Sequence, residues 1–177
     1  MLFMKRFIYS TILILWAVAV HGQEAIPAAV AAPTNAVIIL HVYAKGVQIY
    51  QCTQDLKDTS HYVWTFREPK ATLFSSADYI QEVGKHYLNT TKSPTWELSD
   101  GSLISGVKLQ QAPSPDGAAI PWLLLRGVAE SGRGRLINVA FIQRLYTHGG
   151  LAPKKADQSQ KGQILQVPYT AEYLFYK

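Results

Sequence analysis

Apolar and polar positions alternate along much of the chain, and the alternation is broken at short intervals by glycine and proline. Residues 36–43, "AVIILHVY", are rich in β-branched side chains, and residues 46–52, "GVQIYQC", alternate Val47 and Ile49 with Gln48, Tyr50 and Cys52. The three residues between them are too few for a helix, so the two runs predict a hairpin or one kinked strand. In residues 61–67, Tyr62, Trp64 and Phe66 fall on one face and His61, Val63 and Thr65 on the other. That period of two is a strand signature, and Pro69 is expected to end it. Further strands are predicted at 103–110, 120–129, 135–146 and 169–176. In the third of these, Ile137, Val139, Phe141 and Leu145 share a face, opposite Asn138 and Arg144. In the last, Ala171, Tyr173 and Phe175 alternate with Thr170, Glu172 and Leu174.

Turn signals separate these runs: Asp100-Gly101, "APSPDG" at 112–117, "ESGRG" at 130–134 and "GGLAP" at 149–153. Residues 75–84 have room for a single helical turn, and no stretch has the caps and period of a longer helix. The pattern predicts an all-β, mainly antiparallel domain, a β-sandwich or a barrel. Ten tyrosines and four tryptophans suit a pleated surface with wide amphipathic side chains.

The N-terminus follows another pattern. Lys5 and Arg6 precede an almost unbroken apolar run from Phe7 to Val20, and Val20 and Gly22 are small enough to precede a cleavage site. This is the layout of a secretory signal peptide. The run is shorter than the roughly twenty residues of a spanning helix. We therefore expect residues 1–22 to be a signal peptide, 23–35 an Ala/Pro-rich extended arm, and 36–177 a single β domain. The product would be exported, periplasmic or extracellular, with no stable membrane span after cleavage. Loss of Lys5 and Arg6 takes the formal charge from +5 to +3. The remaining basic residues are scattered, which argues against a nucleic-acid partner. Cys52 is the only cysteine, so no internal disulfide forms; its apolar surroundings favour a buried, inert thiol over a reactive one.

Several ordered blocks carry a family likeness: "AKGVQIYQC" (44–52), "VWTFREPKATLF" (63–74), "VGKHY" (83–87), "PTWELSDGS" (94–102), "IPWLLLRG" (120–127), "IQRLYTHGGLAP" (142–153) and "VPYTAEYLFY" (167–176). Together they resemble the exported domain-of-unknown-function family 3455, from about Pro33 to Tyr176. The resemblance implies an exported single-domain protein of bacteria and fungi. It brings no established activity, so no catalytic residue is carried over. Two departures stand out. Leu88 to Ser93 make a longer, more polar link before Pro94-Thr95-Trp96 than the family's usual short one. Members commonly carry a second cysteine near the position of Ala156, and the disulfide this implies with Cys52 is missing here.

The chemistry on offer clusters in "HYLNTTKSPTWELSDGS" (86–102) and "IQRLYTHGG" (142–150). His86, Tyr87, Trp96, Glu97, Asp100, Arg144 and His148 form the candidate binding surface. His86, Glu97, Asp100 and His148 have metal-binding atoms but no diagnostic ligand spacing, so no metal or cofactor is expected. Asp100-Gly101-Ser102 also reads as a tight turn, and Arg144 as the partner of a carboxylate such as Glu97 or Glu172. Asn89-Thr90-Thr91 matches a glycosylation acceptor in a eukaryotic host. No nucleophile elbow or phosphate-binding glycine loop is present. The leading expectation is a non-enzymatic binding or envelope-associated module for a small molecule or an envelope polymer. The alternative is a hydrolase of an envelope polymer, with Glu97 or Asp100 as acid/base and His86 or His148 assisting. That alternative requires those groups to converge on one cleft. Oligomeric state is not legible.

Overall fold

The computed structural model describes residues 24–115 and 117–177. The expected signal peptide lies outside the described residues. Eight antiparallel strands follow one another around a closed barrel: β1 (Ile38–Gln54), β2 (Tyr62–Phe74), β3 (Glu82–Leu88), β4 (Pro94–Leu98), β5 (Leu103–Ala112), β6 (Trp122–Ser131), β7 (Phe141–Gly149) and β8 (Ile164–Tyr176). The all-β expectation holds, as the barrel of its two forms. Short 3-10 turns occur at Ala28–Val30 and Gln158–Gln160. No helix among the described residues is long and apolar enough to cross a membrane.

β1 closes the barrel. Its register runs from Tyr43↔Phe74 to Gln54↔Tyr62 on one edge and from Ile38↔Tyr176 to Gln51↔Ile164 on the other. It is one strand with both edges paired, not two strands of a hairpin. Val42, Ala44, Gln48, Tyr50 and Cys52 are buried on its inner face, while Val47 and Ile49 face outward. Gly46 lies between them because an added Cβ would come within 2.1 Å of the Lys70 carbonyl oxygen.

Pro69 does not end β2. A register shift near Arg67 pairs Ile49 with Glu68 and Tyr50 with Phe66. β2 pairs with β3 only from Ala71 onward. Pro69 therefore sits beside a bulge on a one-sided stretch, where a missing donor is tolerated. The possible helical turn at 75–84 is instead a turn followed by the start of β3.

The expected strand at 135–146 begins only at Phe141. Gly132, Gly134 and Asn138 take positive φ values of 82°, 149° and 64°, which break the extended chain. The segment crosses under one end of the barrel and inserts Leu136 and Val139 into the core. Asp100 holds it there by accepting from the Arg135 amide at 3.0 Å, and the Ser102 hydroxyl accepts from the Leu136 amide at 3.2 Å. This end is closed. The other end, formed by residues 55–61, 89–93, 113–115, 117–121 and 150–163, is open.

Phe141 and Leu145 do share a face of β7 opposite Arg144, and that apolar face is the outer one. Ile142 and Arg144 point into the barrel, whereas Phe141 and Leu145 face outward against the arm. The arm is not a free tether: Val30 is fully buried with Trp122, Leu124 and Leu145, and its carbonyl accepts from Gln143 Nε2 at 2.5 Å. Both faces of β7 are therefore covered, and apolar alternation alone does not identify the inner one. Replacing the bottom plug, Leu136→Ala, is expected to cost about 2–5 kcal/mol of unfolding free energy by urea titration; a loss below about 0.5 kcal/mol would contradict its place in the core.

Candidate functional site

The open end leads into a cavity of about 460 Å³. Its apolar wall includes Leu88, Pro94, Leu123 and Leu125, with Phe66 at the mouth. Gln48, His86, Trp96, Arg144 and Tyr173 supply the polar atoms, and Lys92 and Lys108 stand at the rim. None of the described lining residues is acidic.

Strand register explains this gathering. His86 pairs across with Trp96, and Arg144 with Tyr173, so each pair projects to the same side of the sheet. The His86 imidazole stacks on Trp96 with centroids 4.6 Å apart, and lies 5.1 Å from the Tyr173 ring. Its Nδ1 donates to the Thr95 carbonyl at 2.9 Å, which fixes the neutral tautomer. Burial lowers its pKa to about 3, and the Arg144 charge pushes in the same direction. Arg144 gives both Nε and Nη2 to the Pro121 carbonyl, at 3.1 and 2.7 Å. It has no carboxylate partner among the described residues; Glu97 pairs with Lys85 at 3.1 Å, and Glu172 with His41 at 2.8 Å. The expected Arg144–carboxylate pair is therefore replaced by a carbonyl contact.

Trp96 Nε1 is buried without a protein hydrogen bond; Gln48 Nε2, Tyr169 Oη and Tyr173 Oη are buried too and have only one another and Arg144 beside them, outside ordinary hydrogen-bond geometry. Burial raises the pKa of both phenols, and the nearby Arg144 charge partly offsets it. Buried polar groups are normally paired, and each exception calls for a reason.

Of the seven candidate residues, the barrel brings together His86, Trp96 and Arg144. Tyr87 and Glu97 lie on the outer wall, where the Tyr87 hydroxyl donates to Glu97 Oε2 at 2.7 Å. Asp100 is at the closed end. Burial raises its pKa, but hydrogen bonds from Ser102 and Arg135 outweigh that and hold it at about 2. His148 faces out. A register shift between Leu145 and His148 adds one residue to β7, so His148 pairs with outward Thr170. The acid/base groups of the hydrolase alternative thus do not share a cleft. Asn89 is also committed: its Oδ1 accepts from the Thr91 and Ser93 amides, each at 3.0 Å, and its Nδ2 donates to Ser105 Oγ at 3.2 Å.

Gln48 and Tyr173 were missed as cavity residues. Their signal was a polar group on the inward phase of an alternating strand. Lys92 and Lys108 had no such signal, because loop and strand geometry alone brings them to the rim.

The family described as "Protein of unknown function (DUF3455)" matches residues 33–177. The chain belongs to this family. No curated protein and no solved structure matches it. In this DUF3455 member Cys52 is buried, and its Sγ lies 3.8 Å from the carbonyl of Asp157. That residue adjoins Ala156, where the resemblance places the partner cysteine.

His86 gives the site a pH signature. Its folded-state pKa of about 3 lies below the ordinary value of about 6.5, so the unfolded chain binds this proton more readily. The stabilisation is full above pH ~6.5 and is lost as pH falls toward ~3, with a slope of up to about 1.4 kcal/mol per unit. Urea unfolding between pH ~6.5 and ~4.5 is expected to show that slope, and His86→Gln to flatten it. An unchanged slope in the variant would show that His86 is not buried neutral.

Proposed function

We propose that this chain is an exported, non-enzymatic binding module that takes a small molecule into the open end of its barrel. One observation carries the reading: an apolar-walled cavity contains the unpaired Trp96 Nε1 beside Gln48 and Tyr173, whose polar atoms lack a well-formed hydrogen bond. The volume of about 460 Å³ is within the usual range for small-ligand sites, and β-barrel mouths are common places for them. A cavity closed at its far end by Leu136 and Val139 suits a small molecule or a chain end. It does not suit the middle of a polymer, which needs an open groove. No comparable arrangement favours hydrolysis, since Glu97 and Asp100 are engaged by Lys85, Tyr87, Ser102 and Arg135.

The test uses the full chain expressed with its leader and recovered from outside the cytoplasm; a start at Gln23 by intact mass supports export, and retention of Met1 contradicts it. The neutral fluorophore N-phenyl-1-naphthylamine is expected to bind this preparation with increased emission. Leu123→Trp puts a larger ring into the cavity and is expected to weaken binding at least about tenfold, or about 1.4 kcal/mol, with an unchanged circular-dichroism spectrum. No binding to the unmodified protein, or equal binding by the variant, would refute the cavity as the site.

A further inference from the structure

We propose that the cavity recognises a monocarboxylate, its head held by Arg144 and its apolar body against Leu123 and Leu125. This rests on the cavity being a binding site and adds the chemical class of the ligand.

The donors argue for it first. Trp96 and Arg144 can only donate hydrogen bonds; Gln48 and Tyr173 can donate as well as accept. Trp96 Nε1 has no protein partner, and Gln48 Nε2 and Tyr173 Oη have none in ordinary hydrogen-bond geometry. All three residues are at least nine-tenths buried and line the cavity. A buried donor left unpaired keeps its full desolvation cost. A ligand that brings acceptors offsets this cost, whereas one that brings only donors does not.

Arg144 then selects charge and shape. Pro121 fixes the guanidinium through Nε and Nη2, so its plane is set before any ligand arrives. The end-on pair of nitrogens has the Tyr173 hydroxyl as its neighbour, without an ordinary hydrogen bond between them. That planar fork matches the two oxygens of a carboxylate, and charge-assisted bonds of this kind are about twice as strong as neutral ones.

The placement of the cations limits the head to one negative charge. Of the three in the lining, Arg144 alone is half-buried. Lys92 and Lys108 are exposed at the rim, and Lys108 Nζ already donates to Gln111 Oε1 at 2.9 Å. They can draw anions toward the mouth without neutralising a second charge at depth. A phosphate dianion would thus enter with half its charge uncompensated, at a high desolvation cost. The absence of acidic groups from the described lining removes the repulsion a carboxylate would otherwise meet.

The experiment compares 2-naphthoate with its neutral isostere 2-naphthamide, each displacing N-phenyl-1-naphthylamine from the full chain at pH 7. The acid is expected to bind at least about tenfold more tightly. Arg144→Gln is expected to remove that preference, read as the ratio of acid to amide affinity within the variant; Arg144→Lys should keep part of it. Equal or tighter amide binding in the unmodified protein overturns the proposal, as does a preference that survives Arg144→Gln. Tighter binding of 2-naphthyl phosphate than of 2-naphthoate overturns the carboxylate assignment. Should Arg144→Gln fail to fold, the acid–amide ratio of the unmodified protein decides. Fluorophore binding without an acid preference refutes this inference alone, whereas no fluorophore binding refutes the cavity reading beneath it.

Discussion

Pairing of β1 along both edges is the constraint on which the rest depends. From Tyr43 to Gln51 this strand faces β2 on one side and β8 on the other. Closure gives the sheet an inside, and alternation then assigns each side chain to it or to the outer wall. His86, Trp96, Arg144 and Tyr173 meet only because of that assignment. They come from β3, β4, β7 and β8, and in an open sheet β3 and β8 would be far apart.

Two local departures tune the arrangement. The shift beside Arg67 keeps Phe66 opposite Tyr50 and so brings its ring to the mouth. The shift after Leu145 turns His148 outward while Arg144 stays inward. The two ends of the interior differ in kind. Leu136, Val139 and Phe175 fill the closed end with apolar contact, and the open end keeps polar atoms beside space. A core optimised for stability alone would not leave Trp96 Nε1 unpaired, or Gln48 and Tyr173 without a well-formed hydrogen bond. Their cost, against a marginal total stability of about 5–15 kcal/mol, is the physical reason for reading that end as functional.

Much of this was legible in the residues. Alternation in β1, the start of β2 and β8, cut by glycine and proline, showed a sheet-only domain, and the ordered blocks showed the family. The inner placement of Ala171, Tyr173 and Phe175 needed only a register and a hydrophobic side. What could not be read depended on partners distant in sequence. Alternation puts Phe141 and Leu145 on one face but cannot say that it is the outer one, because the arm at Val30 supplies a second apolar environment there. Ile137 and Val139 looked like strand residues because the positive φ of Asn138 is invisible to alternation. Tyr87, Glu97, Asp100 and His148 carry suitable chemistry, but register, turn and bulge point them elsewhere. The carboxylate partner expected for Arg144 is replaced by a carbonyl, since Pro121 reaches it only through the loop before β6.

Amide hydrogen exchange along β1, resolved residue by residue, tests closure most directly. With both edges paired, successive amides from Tyr43 to Gln51 are all bonded to β2 or β8, and the account predicts slow exchange at each in turn. If β1 instead lay at the edge of an open sheet, every second amide would face solvent. Fast exchange at alternate positions through that stretch would contradict the closed barrel, and with it the shared interior.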